Sequence, residues 1–251
     1  MNLEIAAPIA LVCVAIVALV YKKVIEPGRA RRAIAAALDR EGWLPIGPGE
    51  APGWPAVMEL AIDRAAGKER DVEYDEKAGP FNLRVKRREQ RSGKALDLYR
   101  DAGADGRYAA VGVHEERTGT RTAIRADRHH YVEHEFWIGE ARELRVGKPI
   151  TAFRWTAEAF RQAGAPMAAA RGRDPEDVPQ LASPADDPLV ERVRAVLAET
   201  DLARRIRADV YLAPGAWVLT APLAAARSRV EDVLALARRV SAALERRPPG
   251  R

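Results

Sequence analysis

Residues 81–86 read Phe-Asn-Leu-Arg-Val-Lys, so apolar and polar side chains alternate with a period of two. Successive side chains of a β-strand point to opposite faces, and the alternation therefore predicts a strand with one buried face. Similar alternation occurs in residues 72–74 and 96–98, residues 109–113 place apolar side chains at 109, 111 and 113, and residues 131–137 are expected to form one more strand. Short connections between such strands predict an antiparallel meander.

Glycine-containing stretches are interpreted as the turns of this meander. Residues 103–106 precede the strand at 109–113, and Thr118-Gly119 precedes a shorter polar run that contains Thr122 and Ile124. Glycine is favoured in tight turns because it adopts backbone conformations that other residues avoid. The pattern predicts a hairpin turn at Thr118-Gly119.

The C-terminal part combines two helical patterns with one hairpin pattern. Apolar residues recur at helical spacing in residues 189–197 and again in residues 230–244. Between them, two short alternating runs flank Pro214-Gly215. The sequence therefore predicts an α+β fold, in which the antiparallel meander has flanking helices and the chain ends in a helix–β-hairpin–helix.

Residues 5–21 contain no charged side chain. As a helix they would span about 26 Å, against about 30 Å for the hydrocarbon core of a bilayer. Glu4 stands where a cleaved signal peptide would have basic residues, which favours an uncleaved transmembrane anchor. The flank that follows is basic and consists of Lys22, Lys23, Arg29, Arg31 and Arg32.

The basic flank predicts the orientation of this anchor. Positive residues remain on the cytoplasmic side, so we expect the N-terminus outside and the body inside. The expected location is the inner (plasma) membrane of a bacterium, in a single-pass arrangement with the lipid bilayer as a partner. A protein partner at this membrane is a further expectation.

Five segments are expected along the chain. They are a transmembrane anchor with its basic flank (1–26), a juxtamembrane helix and Pro/Gly linker (27–55), an α+β part with the meander (56–164), a Pro-rich loop (165–188) and the helix–hairpin–helix (189–247). The ending at 207–245, together with the anchor and residues 31–45, resembles membrane-tethered bacterial proteins of unknown function. This resemblance is architectural and implies no activity.

The distribution of charge and the number of cysteines argue against several classes of function. The net charge is +5, and residues 1–32 contribute five basic and two acidic side chains, which leaves only +2 for the rest. A nucleic-acid-binding domain usually has a concentrated basic face, so no nucleic-acid partner is expected. Cys13 is the single cysteine, which excludes a disulfide framework and a cysteine-based zinc site.

One basic cluster lies in the predicted meander. It consists of Arg84, Lys86, Arg87, Arg88 and Arg91. We interpret it as a solvated strand face and turn, with contact to anionic lipid or nucleic acid as the alternatives.

Residues 130–134, His-Tyr-Val-Glu-His, match the H-x-x-E-H signature of inverted zinc proteases. On a helix, His130 and His134 would share a face and bind zinc, with Glu133 as the general base and Glu199 as a candidate third ligand. In a strand the two histidines stand about 13 Å apart, too far for one metal ion. The preceding β pattern favours the strand.

Two functions are compatible with these observations. The first is a membrane-anchored cytoplasmic module without cofactor or catalytic group, which binds a protein or the inner leaflet. The second is a membrane-tethered zinc hydrolase that uses His130, Glu133 and His134.

Overall fold

The computed structural model describes residues 13–15, 18, 21, 25–64, 68–78, 81–122, 126–154 and 187–245. The helices of ten or more residues are α1 (Glu26–Arg40), α2 (Trp54–Asp63), α3 (Pro188–Ala198) and α6 (Val230–Glu245), with the single turns α4 (Leu202–Arg205) and α5 (Leu223–Ala226). The strands are β1 (Trp43–Pro45), β2 (Glu69–Ala78), β3 (Phe81–Asp101), β4 (Arg107–Arg121), β5 (Ala126–Ala141), β6 (Ile150–Arg154), β7 (Asp209–Ala213) and β8 (Ala216–Pro222).

The eight described strands form one antiparallel sheet, which confirms the α+β class. Its order is β1-β3-β4-β5-β8-β7-β6, and β2 pairs with the far end of β3. Strands from the expected segments 27–55, 56–164 and 189–247 therefore lie side by side in one sheet. Residues 155–186, which include almost all of the expected Pro-rich loop, lie outside the described residues.

The sheet has two parts. The blade consists of β2 with residues 81–92 of β3, 115–121 of β4 and 126–132 of β5, which are paired in register. The body is the remainder of the described chain, where helices cover both faces of the sheet. Because the long strands run through both parts, the blade is an extension of the body's central strands.

Helices α1 and α3 to α6 pack on one side of the sheet, which we call the α6 face. Their apolar residues join Trp43, Phe136 and Trp217 in one buried cluster. Helix α2 covers the opposite side, the α2 face, where Trp54 stacks on Trp137 with ring centroids 6.3 Å apart. The body is thus a three-layer α/β/α arrangement with a core on each side of the sheet.

Two glycines allow the close packing of the α2 face. A Cβ at Gly112 would lie 2.4 Å from the Trp137 ring, and a Cβ at Gly139 would lie 2.4 Å from the Trp217 carbonyl oxygen and 2.6 Å from Val57. Glycine inside a strand often marks such a close approach. Here it makes room for an indole ring and for α2.

The predicted transmembrane helix is wrong for the part of the chain that the structure describes. No helix in that part is long and apolar enough to cross a membrane. Most of residues 5–21 lie outside the described residues, as do Lys22 and Lys23. The uncharged run is at the lower limit of the roughly 17–25 residues that a spanning helix needs, and the described helix beside it is amphipathic and packs on the sheet.

Helix α1, which follows this run, is amphipathic and packs on the body. Its buried residues are Ala30, Ile34, Ala37 and Leu38. The packing is fixed by Arg31, whose Nε and Nη2 each donate a hydrogen bond of 2.7 Å to Asp97 on β3. This basic residue therefore holds a helix to the sheet.

The hairpin turn expected at Thr118-Gly119 is also wrong. Both residues lie within β4, where Gly119 pairs with Arg88 on β3 and with Arg128 on β5. A Cβ at Gly119 would have no neighbour within 4 Å. This glycine therefore marks an open strand face instead of a turn.

Candidate functional site

The H-x-x-E-H stretch lies in β5, so the zinc-protease geometry does not form. In the strand, His130 and His134 share the α6 face at a spacing of about 13 Å, while Glu133 points to the α2 face. His130 Nε2 lies 3.4 Å from Glu115 Oε2. Among the described residues, no group of three or more His, Cys, Asp or Glu could hold a metal ion.

The expected third ligand is also engaged elsewhere. Glu199 follows α3 and accepts a hydrogen bond from Arg239 on α6. This contact ties two helices of the α6 face together.

The described residues of the basic flank have separate partners. Arg29 lies over the Tyr21 ring at 5.8 Å and donates a hydrogen bond of 3.3 Å to the Tyr21 hydroxyl. Arg32 donates to the Gly28 carbonyl at 3.3 Å. Because Arg29 and Arg32 remain exposed, their charges are available on the side of α1 that does not contact the sheet.

A buried polar cluster joins α2 to the sheet at the boundary between body and blade. Arg64, which ends α2 in a left-handed conformation (φ 50°), forms an ion pair with Glu135 on β5. The Glu135 carboxylate is only 4% exposed and also accepts a hydrogen bond of 2.7 Å from the Trp137 indole. Burial lowers the pKa of Arg64, but the charge and hydrogen bond of Glu135, together with Tyr211 and Asp209, more than offset it, so the pKa is raised.

His114 lies in the same boundary region, and its side chain has no hydrogen-bond partner among the described residues. It is 1% exposed, and neither ring nitrogen has a partner in the described part of the chain. Burial, followed by the positive charges of Arg64 and Arg91, lowers the pKa of His114 to about 3. His114 is therefore neutral at physiological pH.

The carboxylate opposite His114 also has a shifted pKa. Glu133 pairs with His114 across β4 and β5, and it accepts a hydrogen bond of 2.8 Å from the Tyr131 hydroxyl. Burial raises the pKa of Glu133, and the negative charge of Glu135 raises it further. Shifted groups mark functional sites in some proteins, but buried structural networks shift them too. Here the ion pair and hydrogen bonds fasten α2 to the sheet.

The α6 face of the blade carries the other candidate site. Cross-strand pairing places Arg88, Gly119 and Arg128 in one row, with Gln90, Arg117 and His130 in the next row. Two depressions meet at Gly119, with volumes of about 400 Å³ and about 480 Å³. The cations of three strands are thus gathered around a residue that has no side chain.

Acidic residues neutralise only part of the positive charge on the α6 face of the blade. Glu73 lies 2.7 Å from Lys86 and 3.2 Å from Arg84, and the hydrogen bond with Lys86 is the main cause that lowers the pKa of Glu73. Arg121 and Arg128 form no ion pair with any residue in the described ranges. The centre of the blade therefore keeps uncompensated positive charge.

The sequence located one strand of this site but not the whole. Arg84, Lys86 and Arg88 belong to the basic cluster predicted from residues 84–91. Arg117, Arg121 and Arg128 come from other strands, and only the register brings them beside Arg88. No local pattern signals that grouping, because Arg117, Arg121 and Arg128 follow Arg88 by about 30 to 40 residues in the chain.

Comparisons with protein-family models, curated proteins and solved structures found no match to this chain. The resemblance to membrane-tethered bacterial proteins therefore stays a prediction.

Proposed function

We propose that this protein is a non-catalytic module that docks peripherally on an anionic phospholipid surface through the α6 face of the blade. The observation that carries the proposal is the exposed group of arginines from three strands, of which Arg121 and Arg128 have no acidic partner among the described residues. The anionic cytoplasmic leaflet of a bacterial membrane is the surface that fits this charge.

The number of cations is sufficient for reversible docking. Each Lys or Arg near an anionic leaflet contributes about 1 kcal/mol of attraction. Arg88, Arg117, Arg121 and Arg128 together would contribute about 4 kcal/mol, and the exposed Arg29 and Arg32 on α1 would add to it if they reach the same surface. Such binding is weak and depends strongly on salt.

The side-chain composition of the face favours lipid over nucleic acid. Within the described rows, the α6 face of the blade presents no Phe, Tyr or Trp; Tyr131 belongs to the α2 face. Proteins that bind single-stranded nucleic acid without sequence preference use aromatic side chains on which bases stack. A charged strand face without such rings instead matches headgroup contact.

The proposal is tested by vesicle co-sedimentation of the full chain. Vesicles of phosphatidylcholine alone are compared with vesicles that also contain phosphatidylglycerol, at low and at high salt. We expect sedimentation only with phosphatidylglycerol and release at high salt, because the attraction is electrostatic. Equal sedimentation with both vesicle types, or with neither, contradicts the proposal.

A charge-reversal variant locates the docking surface. Arg117→Glu, Arg121→Glu and Arg128→Glu combined are expected to weaken binding by at least about tenfold. The matched control combines Arg100→Glu, Arg145→Glu and Lys148→Glu, which change the net charge equally at exposed positions of the body. Equal losses in the two variants would mean that net charge, and not the blade, determines binding.

A further inference from the structure

We infer that the blade contains a specific site for a phosphomonoester headgroup, formed by Arg88, Arg117 and Arg128 around Gly119. This inference rests on the proposed docking function and names the lipid chemistry that the same face would select. A phosphomonoester carries more negative charge than the phosphodiester of an ordinary headgroup and has three exposed phosphate oxygens.

Gly119 lies between two arginines, one on each neighbouring strand, with open space above it. Arg88 and Arg128 are its cross-strand neighbours on either side, so their Cα atoms are about 10 Å apart with the glycine between them. Nothing lies within 4 Å of a Cβ built at Gly119. A phosphate can therefore approach the backbone there while both guanidinium groups turn towards it.

Of the two depressions, the larger has the lining that is better suited to an anion. The smaller one is lined in part by Asp71 and Glu73, whose charges repel an anion. The larger one, of about 480 Å³, is lined by Arg88, Gln90, Arg117, Gly119, Arg128 and His130 among others, and none of its lining residues is acidic. We therefore place the phosphomonoester in the larger depression.

The arginines that line this depression can exchange their present acidic partners for a phosphate. Arg88 Nη2 lies 3.5 Å from Glu69 and Arg88 Nε lies 3.9 Å from Asp71, and both acidic residues are exposed. Arg117 lies 3.6 Å from Glu115. Exposed ion pairs of this kind are worth about 0–1 kcal/mol, so a phosphate that binds guanidinium groups bidentately can displace them.

The inference is tested by comparing two anionic lipids. Vesicles containing phosphatidic acid, a phosphomonoester, are matched in surface charge to vesicles containing phosphatidylglycerol, a phosphodiester. We expect the full chain to bind phosphatidic acid at least about tenfold more tightly. Gly119→Val fills the floor of the site without changing any charge, and should reduce the preference to less than about twofold while binding to phosphatidylglycerol persists.

Two further variants keep the result interpretable. Gly147→Val is the matched control, because a Cβ there also meets nothing within 4 Å but the position lies in the body; it should retain the preference. Arg128→Lys keeps the charge but removes the planar fork that binds phosphate bidentately, and should also lose the preference. If Gly119→Val fails to fold, Arg128→Lys decides the question.

The outcomes separate the two proposals. No binding to either anionic vesicle contradicts the docking function and this inference together. Binding to both vesicles without preference, or a preference that survives in Gly119→Val and Arg128→Lys, overturns this inference alone. Full release of the protein from phosphatidic acid vesicles by inorganic phosphate at constant ionic strength would show that the site takes a free phosphate instead of a lipid headgroup, and would also overturn it.

Discussion

The body and the blade are built from the same long strands but differ in what covers them. In β4, residues 108–114 are buried, whereas residues 115–121 are partly or fully exposed. The change occurs where α2 ends and the strand sequence turns from apolar to charged. On the α2 face of the blade, Val85 and Glu89 are still buried, so exposure is greatest on the α6 face.

Because the body is covered on both faces and the α6 face of the blade is not, the body provides stability while the blade offers a surface for recognition. The body is stabilised by apolar burial on both faces of the sheet, at roughly 25 cal/mol per Å² of apolar surface. On its α6 face the blade is held by backbone pairing and by exposed ion pairs, each worth about 0–1 kcal/mol. Side chains on that face can therefore change with little loss of stability, which suits a binding surface.

The largest expected effect concerns the buried ion pair at the boundary. Arg64→Met removes the partner of Glu135 and leaves a buried carboxylate whose one remaining donor within the described residues is the Trp137 indole. We expect the free energy of unfolding to fall by about 3–5 kcal/mol, measured by urea denaturation.

Two comparison variants define this effect. Arg64→Met combined with Glu135→Gln should recover part of the loss, because no unpaired charge remains buried. Lys86→Met breaks the exposed pair with Glu73 in the blade and should cost less than about 1 kcal/mol. Similar losses for Arg64→Met and Lys86→Met would contradict the distinction between body and blade.

The second prediction compares two glycines of β4. Gly112→Ala places a Cβ within 2.4 Å of the Trp137 ring and should destabilise the protein by about 3 kcal/mol. Gly119→Ala meets no neighbour and should change stability by less than about 1 kcal/mol, since alanine is at least as favourable as glycine in a strand. Thermal unfolding of both variants checks the contrast, and equal melting temperatures would disprove it.

The smallest expected effect is a pH dependence that originates at His114. Its pKa is about 3 in the folded protein and about 6.5 when unfolded, so the unfolded chain binds the proton more readily. Stability is therefore lost as the pH falls below about 6.5. Between pH 7 and pH 5 the loss is on the order of 2 kcal/mol.

His114→Leu isolates this contribution. The raised pKa of Glu133 acts in the opposite direction, because protonation of that carboxyl at acidic pH favours the folded state. The difference between wild type and His114→Leu at each pH cancels the Glu133 contribution to a first approximation. The exposed His129 provides a control for the histidine-to-leucine change itself, and an equal change of the pH profile in His129→Leu would show that the effect does not originate at His114. A wild-type profile as flat as that of His114→Leu would rule out the assignment.

Where the sequence succeeded, the signal was local. Alternation predicted strands on both sides of Gly119, and the terminal helix–hairpin–helix pattern corresponds to α3, β7–β8 and α6. The β pattern that precedes residues 130–134 favours a strand over the zinc-binding helix there, and β5 contains these residues. Local periodicity shows which side chains share a face, and a segment of a few residues is enough to establish it.

Where the sequence failed, the deciding contact was distant. Strand β1 has only three residues and lay within an expected linker, because its pairing with β3 leaves no periodic signal. Glycine is common in turns and therefore predicts a turn at Gly119, whereas its actual position in the interior of β4 depends on pairing with β3 and β5. An uncharged N-terminal run suggested a membrane span, but the described helix beside it packs on the sheet through Arg31 and Asp97.

By itself the sequence determined the α+β class and the alternation of strand faces, because side-chain period and turn chemistry are local properties of the chain. The tertiary structure alone decided which arginines meet around Gly119 and that Arg64 compensates the buried Glu135. Strand register brings residues from separate parts of the chain to within a few ångströms, and a one-residue slip would turn each side chain of a strand to the opposite face. The proposed function depends on that register.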